Sequence, residues 1–93
     1  MKLKQMKAQL INSSGDVKSV KPKAKRFSLK ELQSYVGGYI QIVKTRDNRI
    51  MVLNEEGKLN NYPYNEIATS LYIYGKNDKI VGDVLVMDNG LLN

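Results

Sequence analysis

The chain has 93 residues and contains neither cysteine nor histidine. Without thiols it can form no disulfide, no thiolate nucleophile and no cysteine-held iron–sulfur cluster. Without imidazole the commonest general acid–base group is missing, which excludes an ordinary serine or cysteine triad. Zinc prefers nitrogen and sulfur ligands, so a zinc site is not expected either. We therefore predict a protein that is not an enzyme, with no catalytic residue, no cofactor and no metal.

Long apolar runs are missing as well. No stretch approaches the roughly 18 apolar residues that a membrane span needs. Lysines interrupt the first eleven residues, which therefore lack the continuous apolar core of a signal peptide. A composition of 42% apolar residues still allows one buried core. These features predict a soluble, cytoplasmic protein with no membrane partner.

Positive charge is concentrated towards the N-terminus. Residues 1–30 hold nine lysine or arginine residues and one acidic residue, Asp16, while the net charge of the whole chain is +6. We divide the sequence into a basic β-hairpin with its connector, residues 1–26, and a helix-plus-sheet body, residues 27–93. Both parts are expected to belong to a single folded domain.

The N-terminal part reads as a hairpin. Apolar and polar residues partly alternate from Leu3 to Ile11, which is typical of a half-buried strand. Residues 12–16 have turn chemistry, and residues 17–20 can return as the partner strand. The connector that follows, residues 21–26, is basic and contains Pro22, which disfavours both a helix and a central strand.

The stretch after the connector predicts a short helix. Ser28 and Glu31 have the spacing of a capping box, and Phe27 precedes them as a hydrophobic staple. Gly37 is placed to end the helix in the left-handed conformation. Three apolar residues recur at helical spacing and are expected to pack on a sheet: Leu29, Leu32 and Val36.

The remaining sequence favours strands. Residues 39–43 and 50–53 are β-branched and apolar, and the turn after them places Gly57 where a positive φ is expected. We predict a meander with short connections and no long crossover. Residues 66–71 fit a short helix capped by Asn65, although residues 72–74 favour a strand. Residues 80–87 read as the final strand.

The predicted fold class is α+β. It consists of an N-terminal β-hairpin and one capped helix packed on a small, mainly antiparallel sheet, with a second short helix as an option. In so small a sheet an exposed edge strand would be a place for a second copy of the chain, so a homodimer is one option for its assembly.

Three segments, LQSYVGGYIQIV, LNEEGKLNNYPYN and IVGDVLVM, together resemble a small uncharacterised family of bacteriophages and bacteria, domain of unknown function 3846. They cover residues 32–43, 53–65 and 80–87. Where the family tends to show a Leu-Pro-Pro-Asn type of segment, this chain departs from it with Tyr62 and Tyr64. The resemblance implies phage or mobile-element gene content and a place in the host cytoplasm. It implies no particular activity.

Several motifs have a functional and a structural interpretation. Gly37-Gly38 follows a helix instead of leading into one, which favours a helix end over a phosphate loop. Glu55 and Glu56 fit a solvated turn better than a cation loop. Asp83 is either an outward-facing residue that accepts from a turn or a carboxylate at a pocket, and we favour the first.

The candidate binding residues are five cations near the N-terminus and two tyrosines: Lys18, Lys21, Lys23, Lys25, Arg26, Tyr62 and Tyr64. The cations could contact nucleic-acid phosphates or an acidic protein surface, or they could simply be solvated. The tyrosines could stack on bases, although packing explains them as well. Because only one of the five cations is arginine, any nucleic-acid binding is expected to have little sequence specificity.

These observations favour a small non-enzymatic binding protein of phage or mobile-element type. We expect a counter-defence inhibitor that binds a host protein or nucleoprotein complex, such as a CRISPR effector, or that sequesters a nucleotide signal. The alternative is a nonspecific nucleic-acid-binding accessory protein that uses the basic N-terminal segment.

Overall fold

The computed structural model describes residues 8–92; the part of the expected first strand at residues 3–7 lies outside them. It confirms the predicted α+β class. In chain order the elements are β1 (Ala8–Ile11), β2 (Val17–Val20), α1 (Leu29–Val36), β3 (Ile40–Lys44), β4 (Ile50–Asn54), α2 (Glu66–Leu71) and β5 (Val84–Met87), followed by a 3₁₀ turn at Asn89–Leu91. None of the helices in this part of the chain is long and apolar enough to cross a membrane.

The five strands form one antiparallel sheet in the order β2-β1-β5-β4-β3. The N-terminal hairpin is part of this sheet, because β1 pairs with both β2 and β5. The predicted meander is confirmed in its order, because β3, β4 and β5 are antiparallel neighbours in chain order. The short connection expected after β4 is wrong: residues 55–83, which include α2, separate β4 from β5, and β5 also pairs with β1. The expected absence of a long crossover is also wrong, since residues 21–39 carry the chain from one edge of the sheet to the other.

Strand β5 lies in the centre of the sheet and is covered on both faces. All four of its residues are buried, and so are all five of β4. A continuous apolar run is typical of a strand covered on both sides. On one face α1 packs with Phe27, Ile50, Val52, Leu85 and Met87. On the other face α2 packs with Ile11, Met51, Leu53, Ile80, Val84 and Val86.

Helix α1 has the predicted ends. The Ser28 hydroxyl accepts a hydrogen bond from the Glu31 backbone N–H, and the Glu31 carboxylate accepts one from the Ser28 N–H, each at 3.1 Å. Gly37 ends the helix at φ 86°. The expected burial of Leu29 is wrong, because its side chain is 57% exposed. Phe27 is fully buried in the core beside α1, which leaves Leu29 at the surface.

The second helix, α2, begins directly after Asn65, the predicted cap. Residues 72–74, which were expected to favour a strand, do not form one. Asn65 is 1% exposed, and its Oδ1 accepts from the Ala68 N–H at 3.0 Å. Its Nδ2 donates to the carbonyls of Ile11 at 3.0 Å and Gly82 at 2.8 Å. This one side chain therefore joins the start of α2 to β1 and to the segment before β5.

Two glycines behave differently from expectation. The final strand begins at Val84 and not at residue 80, because Gly82 has φ 78° and breaks the extended backbone before it. The positive φ expected at Gly57 is wrong; Asn48 and Asn61 have one instead. Gly57 instead lies in a tight space, since a Cβ there would lie 3.0 Å from the Val81 side chain.

Candidate binding surface

The cations predicted to bind a partner all lie at the surface. Lys21, Lys23, Lys25 and Arg26 of the connector are exposed, and so is Lys18 on β2. Pro22 keeps this segment out of the sheet, and repulsion between like charges favours its exposure. The sequence therefore produces a short basic segment, bent at residues 23–26, that leads from β2 to α1.

Hydrogen bonds hold this segment against the body. The Glu31 carboxylate that caps α1 through Oε1 also accepts from the Lys23 backbone N–H through Oε2, at 3.1 Å. At the other end of the connector, Arg26 Nε donates to the Gly90 carbonyl at 3.3 Å. The Glu31 carboxylate thus caps the N-terminus of α1 and also holds the connector beside this helix.

Between the connector and α1 lies an open groove of about 510 Å³, which we name the connector groove. Its cationic walls are Lys23, Arg26 and Lys30, and Tyr35 closes it on the helix side. Tyr35 is held by an edge-to-face contact with Phe27, with ring centroids 6.3 Å apart. The groove therefore places three positive charges beside one aromatic wall.

The positive charge of the groove is only partly balanced by the chain, through Glu31, which lines it. Within residues 8–92 the ion pairs join Arg49 to Asp47 and Lys58 to Asp78, and none involves a groove residue. Residues 17–36 contain six cationic side chains and one acidic one, Glu31, whose two oxygens already accept backbone hydrogen bonds. Such a surface attracts anionic partners.

The two predicted tyrosines are not brought to the groove. Tyr62 is half-buried, and its hydroxyl is 3.4 Å from Asn54 Nδ2, which donates to it; its ring lies against Gly82 and Gly57. Tyr62 therefore packs between loops, at a shallow depression that shares only Ser34 and Tyr35 with the connector groove. Tyr64 is 48% exposed on another part of the surface, with Lys79 Nζ 5.5 Å from its ring centroid.

Sequence reasoning missed two groove residues, Lys30 and Tyr35. In the sequence Lys30 stands out only as one of the basic residues near the N-terminus, and Tyr35 lies apart from the tyrosines of residues 62–74. Lys30 and Ser34, and likewise Glu31 and Tyr35, are four residues apart and are therefore neighbours on the surface of α1. Helical spacing could not place these side chains beside the connector, because that contact depends on the tertiary fold.

The other motifs have structural roles. Asp83 Oδ1 accepts from the Ser13 N–H of the β1–β2 turn at 3.0 Å, as the turn-accepting interpretation predicted, and Asp83 also lines the shallow depression beside Tyr62. Gly37-Gly38 follows α1, with both N–H groups donating to the Gln33 carbonyl. In the part of the chain that the structure describes, no group of three or more acidic residues could hold a metal ion.

We expect the free energy of unfolding to fall as the pH drops below about 4. The hydrogen bond from the Ser28 backbone N–H is the main cause that holds the pKa of Glu31 below its ordinary value, and bonds from Arg49 and Thr45 do the same for the pKa of Asp47. A carboxyl whose folded pKa is lowered stabilises the fold above its unfolded pKa and loses that contribution as the pH falls through the folded pKa. Denaturant unfolding between pH 7 and pH 3 measures this, with Glu31→Gln and Asp47→Asn as comparisons.

Each variant should show a shallower loss of stability with falling pH than the wild-type chain. Equal slopes for Glu31→Gln and wild type would mean that the Glu31 carboxylate has the same pKa folded and unfolded. The link between the cap and the connector described above would then be wrong.

A family model described as "Domain of unknown function (DUF3846)" matches residues 6–90. The match includes both strands of the N-terminal hairpin, the connector and α1, so the connector groove lies within it. No curated protein and no solved structure matches the chain.

Proposed function

We propose that this chain, which belongs to the DUF3846 family, is a small non-enzymatic binding protein that acts by covering an acidic surface of another protein. The family match agrees with the resemblance of residues 32–87 described above. Because the family carries no assigned activity, the proposal depends on the surface of this chain.

The connector groove is the observation that carries the proposal. Its three cations form no ion pair within residues 8–92 and outnumber the one carboxylate that lines the groove, Glu31. Hydrogen bonds from the Lys23 N–H to Glu31 and from Arg26 Nε to the Gly90 carbonyl hold its rim in place. A positively charged surface that is already ordered loses little conformational entropy on binding. Electrostatic complementarity of this kind speeds association and selects partners of opposite charge.

The biological setting that we propose is counter-defence in a host cell. A family resemblance to bacteriophage proteins supports a host partner, and a chain of 93 residues is large enough to block a surface. The sequence offers no paired acid and base at a spacing that would support bond-making chemistry. The partner would be a host defence protein or nucleoprotein complex, such as a CRISPR effector, in the host cytoplasm.

Nonspecific nucleic-acid binding is the second candidate function. The observation in its favour is the closeness of Tyr35 to Lys23, Arg26 and Lys30, since single-stranded nucleic acid is bound by cations that meet phosphates and aromatic rings that stack on bases. Such binding would weaken steeply as salt concentration rises, because phosphate contacts release counterions.

The proposal predicts that removing the groove charge abolishes capture of a partner. We would replace Lys23, Arg26 and Lys30 by glutamine and compare this groove variant with a matched variant that replaces Lys44, Arg46 and Lys76. Both lower the net charge by three, and all three control residues are exposed. Tagged wild-type, groove and matched chains would be used to capture proteins from a lysate of the host, followed by mass spectrometry.

We expect wild-type and matched chains to capture the same acidic protein, and the groove variant to lose it. Retention by the groove variant would contradict the proposal. Treating the lysate with nuclease beforehand separates the two candidates, because capture that disappears after this treatment favours nucleic acid. Titration of short DNA and RNA at two salt concentrations then measures that binding directly.

A further inference from the structure

Strand β2 is a free edge of the sheet, and its unpaired backbone groups can be identified. The Asn12 N–H donates to the Asp16 carbonyl at 2.8 Å, so these two residues form a hydrogen-bonded pair. In an antiparallel ladder such pairs alternate with pairs that do not exchange bonds. By the register of β1 and β2, Lys18 and Val20 therefore face β1. The N–H and C=O groups of Val17 and Ser19 face outward.

Nothing in the described residues 8–92 covers this edge. No hydrogen bond to the backbone of Val17 or Ser19 from outside the β1–β2 ladder is present, and three of the four β2 residues are exposed. The opposite edge differs, because the Ile73 N–H donates to the Lys44 carbonyl and closes one end of β3. The backbone groups of Ile40 and Ile42 on β3 have no such bond in the described residues, so it is the charge beside β2 that distinguishes the two edges.

Side chains around β2 specify which strand would fit. Lys18 lies opposite Leu10, on the face of the sheet that α1 covers, while Val17 and Ser19 lie on the other face. Beyond β2 the chain continues with Lys21 and Lys23 towards the connector groove. Lysines on an edge strand repel an identical edge, so a second copy pairing through β2 is disfavoured. The same charges attract carboxylates on an incoming strand.

We propose that the partner contributes an extended acidic segment that pairs with β2 as a sixth strand, with carboxylates at alternate positions facing Lys18 and the connector. Main-chain hydrogen bonds to Val17 and Ser19 supply affinity, and the alternating carboxylates supply selectivity, as in other cases of strand addition. This inference rests on the proposed function, because it specifies how an acidic protein would reach the basic surface.

The test uses Ser19→Pro, with Ser19→Ala as the matched control. Proline removes the outward N–H of residue 19, which the β1–β2 ladder does not use, and proline is tolerated at such positions of an edge strand. The probe is an eight-residue peptide of alternating glutamate and valine, compared with a peptide of alternating lysine and valine. Heteronuclear NMR titration gives the affinity and the hydrogen-exchange rate of each amide.

We expect the acidic peptide to bind wild type and Ser19→Ala equally, to slow exchange of the Ser19 amide, and to bind Ser19→Pro more than tenfold more weakly. The lysine peptide should not bind. If Ser19→Pro fails to fold, Lys18→Glu with Lys21→Glu replaces it, and this variant should lose the acidic peptide. Unchanged affinity in a folded variant, or no binding of the acidic peptide to wild type, would overturn strand addition.

The two proposals fail in different ways. If Ser19→Pro still captures the host protein while the groove variant does not, binding to the basic surface stands and strand addition is wrong. If both variants capture it normally, the proposed function is wrong as well.

Discussion

Replacing Asn65 by alanine is expected to lower the free energy of unfolding by about 4 kcal/mol. The variant loses the cap of α2, a change that costs about 1 kcal/mol. It also removes the Nδ2 donation to the Ile11 carbonyl, which keeps its partner in the β1–β5 ladder, at a cost of about 1 kcal/mol. The Gly82 carbonyl loses its donor Nδ2, and an unsatisfied buried group costs about 1–3 kcal/mol. For a domain of this size the melting temperature should fall by on the order of 20 °C. Denaturant and thermal unfolding followed by circular dichroism measure both quantities.

Two further variants identify the cause. Asn65→Asp keeps the oxygen that caps α2 but removes both donations to carbonyls, so it should be destabilised at pH 7 despite its cap. Asn77→Ala replaces an exposed asparagine in a turn and should change stability by less than about 0.5 kcal/mol. A loss near 1 kcal/mol for Asn65→Ala would mean that only the cap matters.

The second large effect is expected at Gly82. Alanine there would keep a φ of 78°, which costs a non-glycine residue about 1–2 kcal/mol. Its Cβ would also lie 2.7 Å from the Tyr62 ring, which must move although its hydroxyl is tied to Asn54. We expect a total loss of about 3 kcal/mol or more, because overpacking alone costs about 1–3 kcal/mol.

Gly15→Ala is the matched control for this prediction. Gly15 has φ 102°, and a Cβ there would meet nothing within 4 Å, so alanine incurs only the backbone cost. The difference between the two variants measures the clash with Tyr62. In a Tyr62→Leu background that difference should shrink. Equal losses at Gly82 and Gly15 in the wild-type background would show that Tyr62 does not confine Gly82.

Local signals in the sequence were sufficient to predict both ends of α1 and the start of α2. The capping box at Ser28, the stop at Gly37 and the cap at Asn65 each depend on residues within a few positions of one another. The order of the strands could not be predicted in the same way. The insertion of β5 between β1 and β4 depends on pairing between residues more than 30 positions apart. An apolar run such as Val84–Met87 indicates that the strand is buried but not which strands lie beside it.

The candidate surface was predictable in its charge but not in its shape. The connector cations follow from composition, and proline with repelling charges explains why they are exposed. The groove itself could not be foreseen, because it depends on Glu31 bonding to the Lys23 backbone as well as capping α1. The packing of Tyr62 could not be predicted either. An aromatic residue in a polar loop gives no sign that its ring will pack against a glycine as distant in sequence as Gly82.

Hydrogen exchange measured by mass spectrometry, on the complex with the captured host protein, tests the central claim most directly. The claim is that β2, the connector and the start of α1 form the contact surface. The prediction is that amides within residues 17–31 become protected on binding, while the loop around residues 55–62 and the turn at residues 74–79 exchange as in the free chain. Protection confined to those two loops, with none in residues 17–31, would contradict it.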